Sequence, residues 1–424
     1  MHAILTPVGS SGDVNPFVII GRELSRRGHR VTVMAPDVFR DVISKAGLAF
    51  ASTGTAEEFE HATRNPDLWH PRRGARVVFG EVRKYMRRSY AVLEQLYVPG
   101  DSLVVGHSLS VFTRVFEEMH SVAAATVHLA PTVFRSDYRQ PILPSGHDIT
   151  SWPRWAKRTL WWVIDRFGID PLLARELNAW RQTYGLAPVS RIFESWIHSS
   201  QLTLGLFPEW FAEPQPDWPP QLHLTGFVLS DDGCAPEVSS TEQGRLTRFL
   251  DEGPAPIVFT PGSANRHAVA FFQTAVEAAA LVRRRALLVT PYGEHLPRPL
   301  PSWAGHVSYA PFSRLFRQAA AVVHHGGIGT SAQVLAAGVP QLVMPMGFDQ
   351  PDNAARLARL NVAEIVYPRH FTVPTVASAL DRLFANDAVR TACEKRSAQM
   401  TPDIALGRCC DLLEEQFLAA GAKR

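Results

Sequence analysis

His324-His325-Gly326-Gly327-Ile328-Gly329-Thr330-Ser331 follows the apolar run Ala319-Ala320-Ala321-Val322-Val323 and leads into Ser331-Ala332-Gln333-Val334-Leu335-Ala336-Ala337. The run reads as a buried parallel strand and the segment after it as a helix. Strand, glycine-rich turn and helix start together aim several backbone N–H groups at one point, and the helix dipole adds positive potential there. Such a turn cradles a diphosphate. Imidazole at the carboxyl edge of a parallel strand faces the ligand crevice, so the histidine pair marks the same place. The pair suits a metal poorly: successive strand residues point to opposite faces, and no acidic or thiol neighbour completes a set.

The same rhythm extends in both directions. Upstream stand Pro256-Ile257-Val258-Phe259-Thr260, Ala286-Leu287-Leu288-Val289-Thr290 and His306-Val307-Ser308-Tyr309; downstream stand Gln341-Leu342-Val343-Met344-Pro345 and Ala363-Glu364-Ile365-Val366. At the other end, His2-Ala3-Ile4-Leu5-Thr6-Pro7-Val8 reads as a strand, Gly9-Ser10-Ser11-Gly12-Asp13 as a turn, residues 16–27 as a helix and Arg30-Val31-Thr32-Val33-Met34-Ala35 as the returning strand. This is the opening of a doubly wound sheet. Length alone, at 424 residues, predicts two domains. The expected fold class is α/β, with two Rossmann-like domains facing a cleft: residues 1–230, a linker at 231–244, residues 245–405, and a last helix at 406–424 packing back across the junction.

Composition narrows the partners. A net charge of +3 implies no polyanion such as nucleic acid. Cys234, Cys393, Cys409 and Cys410 show neither metal spacing nor a disulfide framework, which predicts a reducing cytoplasm. Met1-His2-Ala3-Ile4-Leu5 runs straight into a strand, so no signal peptide is expected, and no apolar run reaches membrane-span length.

His325-Gly326-Gly327-Ile328-Gly329-Thr330, Gly338-Val339-Pro340-Gln341, Pro345, Asp349-Gln350 and Asn353-Ala354-Ala355-Arg356-Leu357 together resemble the donor signature of GT-B glycosyltransferases of family 1. Gly9-Ser10-Ser11-Gly12-Asp13-Val14-Asn15-Pro16 is similar to the turn that opens bacterial members. A narrower resemblance, to the rhamnosyltransferases of rhamnolipid synthesis, runs through Arg191-Ile192-Phe193, Trp196-Ile197-His198-Ser199 and Leu224-Thr225-Gly226-Phe227. The family resemblance implies that His325, Gly327, Gly329 and Thr330, with Ser263, hold the diphosphate. It implies that Asp349 and Gln350 bond the sugar hydroxyls and that Tyr309 stacks on the donor base. The family often carries Trp with a following Gln there, and Tyr309 with Phe312 departs from that. Asp13 falls where bacterial relatives place the general base. Ser10, His107 and His128 are acceptor-cleft candidates.

Each of these residues also has a plainer reading. Asp13 is a favoured residue in a helix first turn, Asp349-Gln350 suits a helix start, and His107 and His128 suit a hydrogen-bonded core. Arg72, Arg73, Arg76, Arg83, Lys84, Arg87 and Arg88 read as a solvated helix face, or as a basic surface for anionic membrane. Trp152, Trp155, Trp161 and Trp162 read as core, with a few available to line an apolar acceptor pocket. The resemblance implies an inverting, metal-independent hexosyl transfer from a dTDP- or UDP-sugar, with no cofactor. The narrower one implies L-rhamnose and a 3-hydroxyacyl lipid acceptor at the inner membrane face. The alternatives are glycosylation of a hydrophobic natural product such as a polyketide, and a non-catalytic nucleotide-sugar-binding partner protein.

Overall fold

The computed structural model describes residues 1–71, 73–143, 145–229, 239–263 and 265–422. It divides into two compact units, Met1–Val228 with Thr401–Arg424, and Leu229–Met400. Cys234, most of the expected linker and Arg72 lie outside the described residues.

The first unit is a seven-stranded parallel sheet. Its strands are β1 (His2–Thr6), β2 (Arg30–Pro36), β3 (Ala49–Gly54), β4 (Ser102–His107), β5 (Ala123–His128), β6 (Thr203–Gly205) and β7 (Leu222–Leu224), in the order β3-β2-β1-β4-β5-β6-β7. Ile4, Met34 and Val104 pack on one side against Phe79, Val82 and Met86 of helix Gly74–Leu96, Phe112 and Phe116 of helix Val111–Met119, and Leu177 and Trp180 of helix Asp170–Gln182. The helix Pro402–Ala422 packs against helix Ser11–Arg26 and β5. This last helix is longer than its apolar period suggested, and it belongs to the first unit.

The second unit is a six-stranded parallel sheet of β8 (Ile257–Thr260), β9 (Ala286–Val289), β10 (Ala304–Val307), β11 (Ala321–His324), β12 (Gln341–Val343) and β13 (Ala363–Ile365), ordered β10-β9-β8-β11-β12-β13. Its core joins Val258, Leu287, Val322, Phe316 and Val334. Residues 240–244, expected as linker, are helical, because Ser239 accepts the Glu242 N–H and starts helix Ser240–Asp251. Residues 11–13, expected as turn, are likewise the first turn of helix Ser11–Arg26.

The helix Gly74–Leu96 carries the basic segment. Arg73, Arg83, Lys84 and Arg88 are ion-paired with Asp67, Glu176, Glu81 and Glu58, as on a solvated face. Among the described residues no helix is long and apolar enough to cross a membrane. The tryptophans depart from a core reading. Trp152, Trp155 and Trp162 are exposed, because the helix Arg154–Ile164 that carries two of them buries only Lys157.

Candidate active site

Strand order reverses between β1 and β4 in the first unit, and there the turn after β1 meets the end of β4. Gly9 has φ +137°, and a Cβ on it would lie 2.1 Å from Asp13 Oδ2. Only glycine lets the carboxylate fold back over the turn. Oδ2 then accepts the Ser10 N–H at 2.7 Å and the Ser10 hydroxyl at 3.1 Å. Asp13 therefore caps its own helix, and Ser10 is bound up in that cap. Oδ1 stands 3.9 Å from His107 Nε2, with the Asp13 side chain 34% exposed and that of His107 8%. His107 Nδ1 accepts the Leu109 N–H at 3.3 Å, so the neutral ring carries its proton on Nε2. Burial pushes the His107 pKa down, and the Asp13 charge offsets only part of that.

His128 is the hydrogen-bonded core histidine of the plainer reading. It is fully buried, its Nδ1 lies 2.7 Å from Ser108 Oγ, and its Nε2 lies 2.9 Å from His198 Nδ1. Burial holds its pKa well below the usual value, and burial brings His198 down to about 4. This chain ends at a cavity of 830 Å³ within the first unit, lined by Phe134, Trp161, Trp162, His198 and Trp218 among others. Phe134 stacks on His198 at 5.3 Å, and the buried Trp218 indole N–H has no partner. Arg135 and Arg191, also in the lining, are neutralised by Asp165 and Glu194. The cavity was not foreseen as a whole. Trp161 and Trp162 were the only signal for it, since its walls come from residues spread between 134 and 221.

In the second unit the order reverses between β8 and β11, where Thr260 stands beside His324. His324 is fully buried, with Nε2 2.9 Å from Gln341 Oε1 and Nδ1 accepting the Gly326 N–H at 3.1 Å. His325 leaves the strand and lies between two glycines. A Cβ on Gly262 would come within 2.7 Å of its ring, and one on Gly327 within 2.5 Å. Its Nδ1 is buried without a partner, and burial takes its pKa to about 3, so the ring is neutral. The helix Ile328–Ala337 is capped by Gly327, which brings no side chain. The N–H groups of Ile328, Gly329 and Thr330 therefore have no partner within the helix.

Asp349 is the N-cap of helix Gln350–Arg359. Gln350 is buried, and its Oε1 accepts the N–H groups of Met346 at 2.8 Å and Gly347 at 3.3 Å. Its carbonyl is thus spent on the loop, and the amide NH2 is the part of the side chain that these bonds leave to donate. In the sequence Asn353 stands out only as part of a motif. Its Nδ2 donates to Gly326 O at 3.0 Å and Asp349 Oδ2 at 2.7 Å, tying the glycine turn to the carboxylate. Ser263 is exposed in the turn after β8, and its carbonyl accepts the Tyr292 hydroxyl at 3.3 Å. Tyr309 is half-buried after β10, two strands from β8. Among the described residues no group of three or more His, Cys, Asp or Glu could hold a metal ion.

Known proteins share this two-sheet fold. Residues 292–406 match the family described as erythromycin biosynthesis protein CIII-like, C-terminal domain. The O-mycaminosyltylonolide 6-deoxyallosyltransferase of Streptomyces fradiae is 29% identical over 440 residues, covering 98% of this chain and 97% of the relative. Among solved structures, the glycotransferase of kitacinnamycin aligns with a TM-score of 0.72 at 20% identity, over 98% of this chain and 99% of that one. The spinosyn rhamnosyltransferase SpnG complexed with thymidine diphosphate aligns at 0.66 and 18% identity, over 97% and 100%. The two-sheet architecture is the GT-B fold of these solved structures, and the relative matched along nearly all of both chains is a glycosyltransferase.

Proposed function

We propose that the protein transfers a deoxyhexose, with inversion, from a thymidine or uridine diphosphate sugar to a hydroxyl of a hydrophobic, polyketide-like acceptor. The observation that carries the donor half is His325. Its buried, unpartnered Nδ1, held between Gly262 and Gly327 beside an uncapped helix start, is a place for an anion. A neutral imidazole N–H and the N–H groups of Gly327, Gly329 and Thr330 supply fixed donors to the diphosphate, with Ser263 adding a hydroxyl. They stabilise the charge that grows on the leaving group without a metal. Asp349 and the Gln350 amide read the sugar hydroxyls, and Tyr309 stacks on the base. Asp13 Oδ1 takes the acceptor hydroxyl proton as that oxygen bonds the anomeric carbon. The anomeric bond to the diphosphate breaks, and the nucleoside diphosphate leaves.

The Streptomyces fradiae relative is named for transfer of 6-deoxyallose to O-mycaminosyltylonolide, and SpnG was solved with thymidine diphosphate; both favour this donor and acceptor class. Phe134, Trp161, Trp162 and Trp218 give the otherwise polar cavity of the first unit apolar surface for such an acceptor. Purified protein should release nucleoside diphosphate from the sugar donor only when an acceptor is added. Asp13→Asn should cut turnover by roughly 10²- to 10⁴-fold while leaving donor binding intact. Near-normal transfer by Asp13→Asn removes the base assignment. A matrix of dTDP-rhamnose, other dTDP-deoxysugars and UDP-glucose against macrolide aglycones and a 3-hydroxyacyl lipid, read by mass spectrometry, identifies the pair. Turnover confined to dTDP-rhamnose and the lipid would restore the rhamnolipid reading and overturn the polyketide one.

A further inference from the structure

We infer that His107 positions Asp13 for proton transfer by offering its Nε2–H to Oδ1 while Ser10 holds Oδ2. This rests on the proposed role of Asp13 and adds a second residue to it. The 3.9 Å separation closes to an ordinary N–H···O bond with a shift of about 1 Å, and such bonds are commonly long before substrate binds. The chemistry of the ring fixes the direction. Nδ1 is occupied as an acceptor by the Leu109 N–H, and Nε2 carries the proton. With both nitrogens committed, the ring has no lone pair for the acceptor's proton. It can only donate.

The surroundings decide what kind of donor it is. His107 is buried, its edge meets the Phe17 ring at 6.1 Å, and the titratable groups interacting with it are Asp13 on the first helix and His128 on β5. Burial keeps it neutral against the pull of the carboxylate. A neutral N–H orients a carboxylate while costing it less basicity than a cation would. The two Asp13 oxygens therefore differ. Oδ2 bears two donors from Ser10, whereas Oδ1 faces one and keeps the more basic lone pair. In the transfer step the acceptor's proton moves to Oδ1, and His107 keeps its own.

Three variants test this. His107→Gln places an amide N–H near the position of Nε2, His107→Asn stops short of it, and His107→Phe keeps a ring without a donor. The Gln variant should retain kcat within about threefold, while Asn and Phe should lose roughly ten- to a hundredfold with the nucleotide-sugar KM unchanged. The acid limb of kcat/KM should move to higher pH in Asn and Phe, because a donor to the ionised carboxylate is gone. Thermal melts report whether each variant is folded, and Asn carries the comparison if Phe is not. Equal losses in Gln and Phe, a Phe variant near wild type, or an unmoved acid limb each overturn the inference. Asp13→Asn in the same assay separates the two failures. If it is inactive while His107→Phe is normal, only the role of His107 falls; if it is active, the base assignment falls as well.

Discussion

His325 depends on what its neighbours lack. With φ +92°, Gly262 is strained by any side chain, and its Cβ would strike the imidazole. Gly262→Ala should therefore weaken binding of a nucleoside diphosphate by roughly tenfold or more, as measured by calorimetry, with a much smaller effect on kcat at saturation. Unchanged affinity would mean that the ring does not touch the anion. The sequence pointed to His325 and its glycine turn directly, because the motif is contiguous. The resemblance brought the neighbouring Ser263 to the same diphosphate, but it could not show that Gly262, 63 residues upstream, makes room for the His325 ring, since that follows from β8 lying beside β11. Gln350 shows a related limit: its type was legible, but the spending of its carbonyl on Met346 and Gly347 was not. Asp13 was legible as a helix cap, and the bonds that Oδ2 accepts from Ser10 make it one.

At the scale of elements, parallel strands buried on both faces give nearly unbroken apolar runs, and these were readable to within a residue or two at β1 and β2. Helix starts were less readable. Pro16 suggested a start near itself, yet it lies inside a helix that begins at Ser11, where the Ser10–Asp13 cap sets the first turn ahead of it. Buried histidines carry a consequence for pH. His198 and His324 are held by burial to pKa values of about 4, below the 6.5 of an exposed ring. The unfolded chain binds more protons across that interval, so this contribution is complete above pH 6.5 and is lost as pH falls toward 4. Melting temperature should fall through this window, and His198→Gln, which cannot titrate, should fall less steeply. Identical slopes for the two proteins would exclude His198 as a source.

At the scale of the molecule, the last helix was visible from its apolar positions, but no local pattern could name the surface it covers. Leu413 is fully buried there, and Cys410 Sγ reaches Ile20 O at 4.0 Å. Outside the core, Arg27 adds ion pairs to Asp411 and Glu414 that are partly exposed and therefore weak. Leu413→Ala should cost about 2–4 kcal/mol in denaturant unfolding of the first unit, whereas Arg27→Ala should cost under about 1 kcal/mol. The reverse ranking would show that charge, not apolar burial, fastens the helix. The aromatic cavity was hidden for a similar reason: its walls are distant in sequence and meet only once the sheet is formed. The first unit is also discontinuous, with Thr401–Arg424 following the whole of the second. During synthesis the second unit emerges, and can fold, while the first still lacks the helix that covers part of its sheet. The part of the chain made first is the part finished last, and until then its uncovered apolar face is open to other chains.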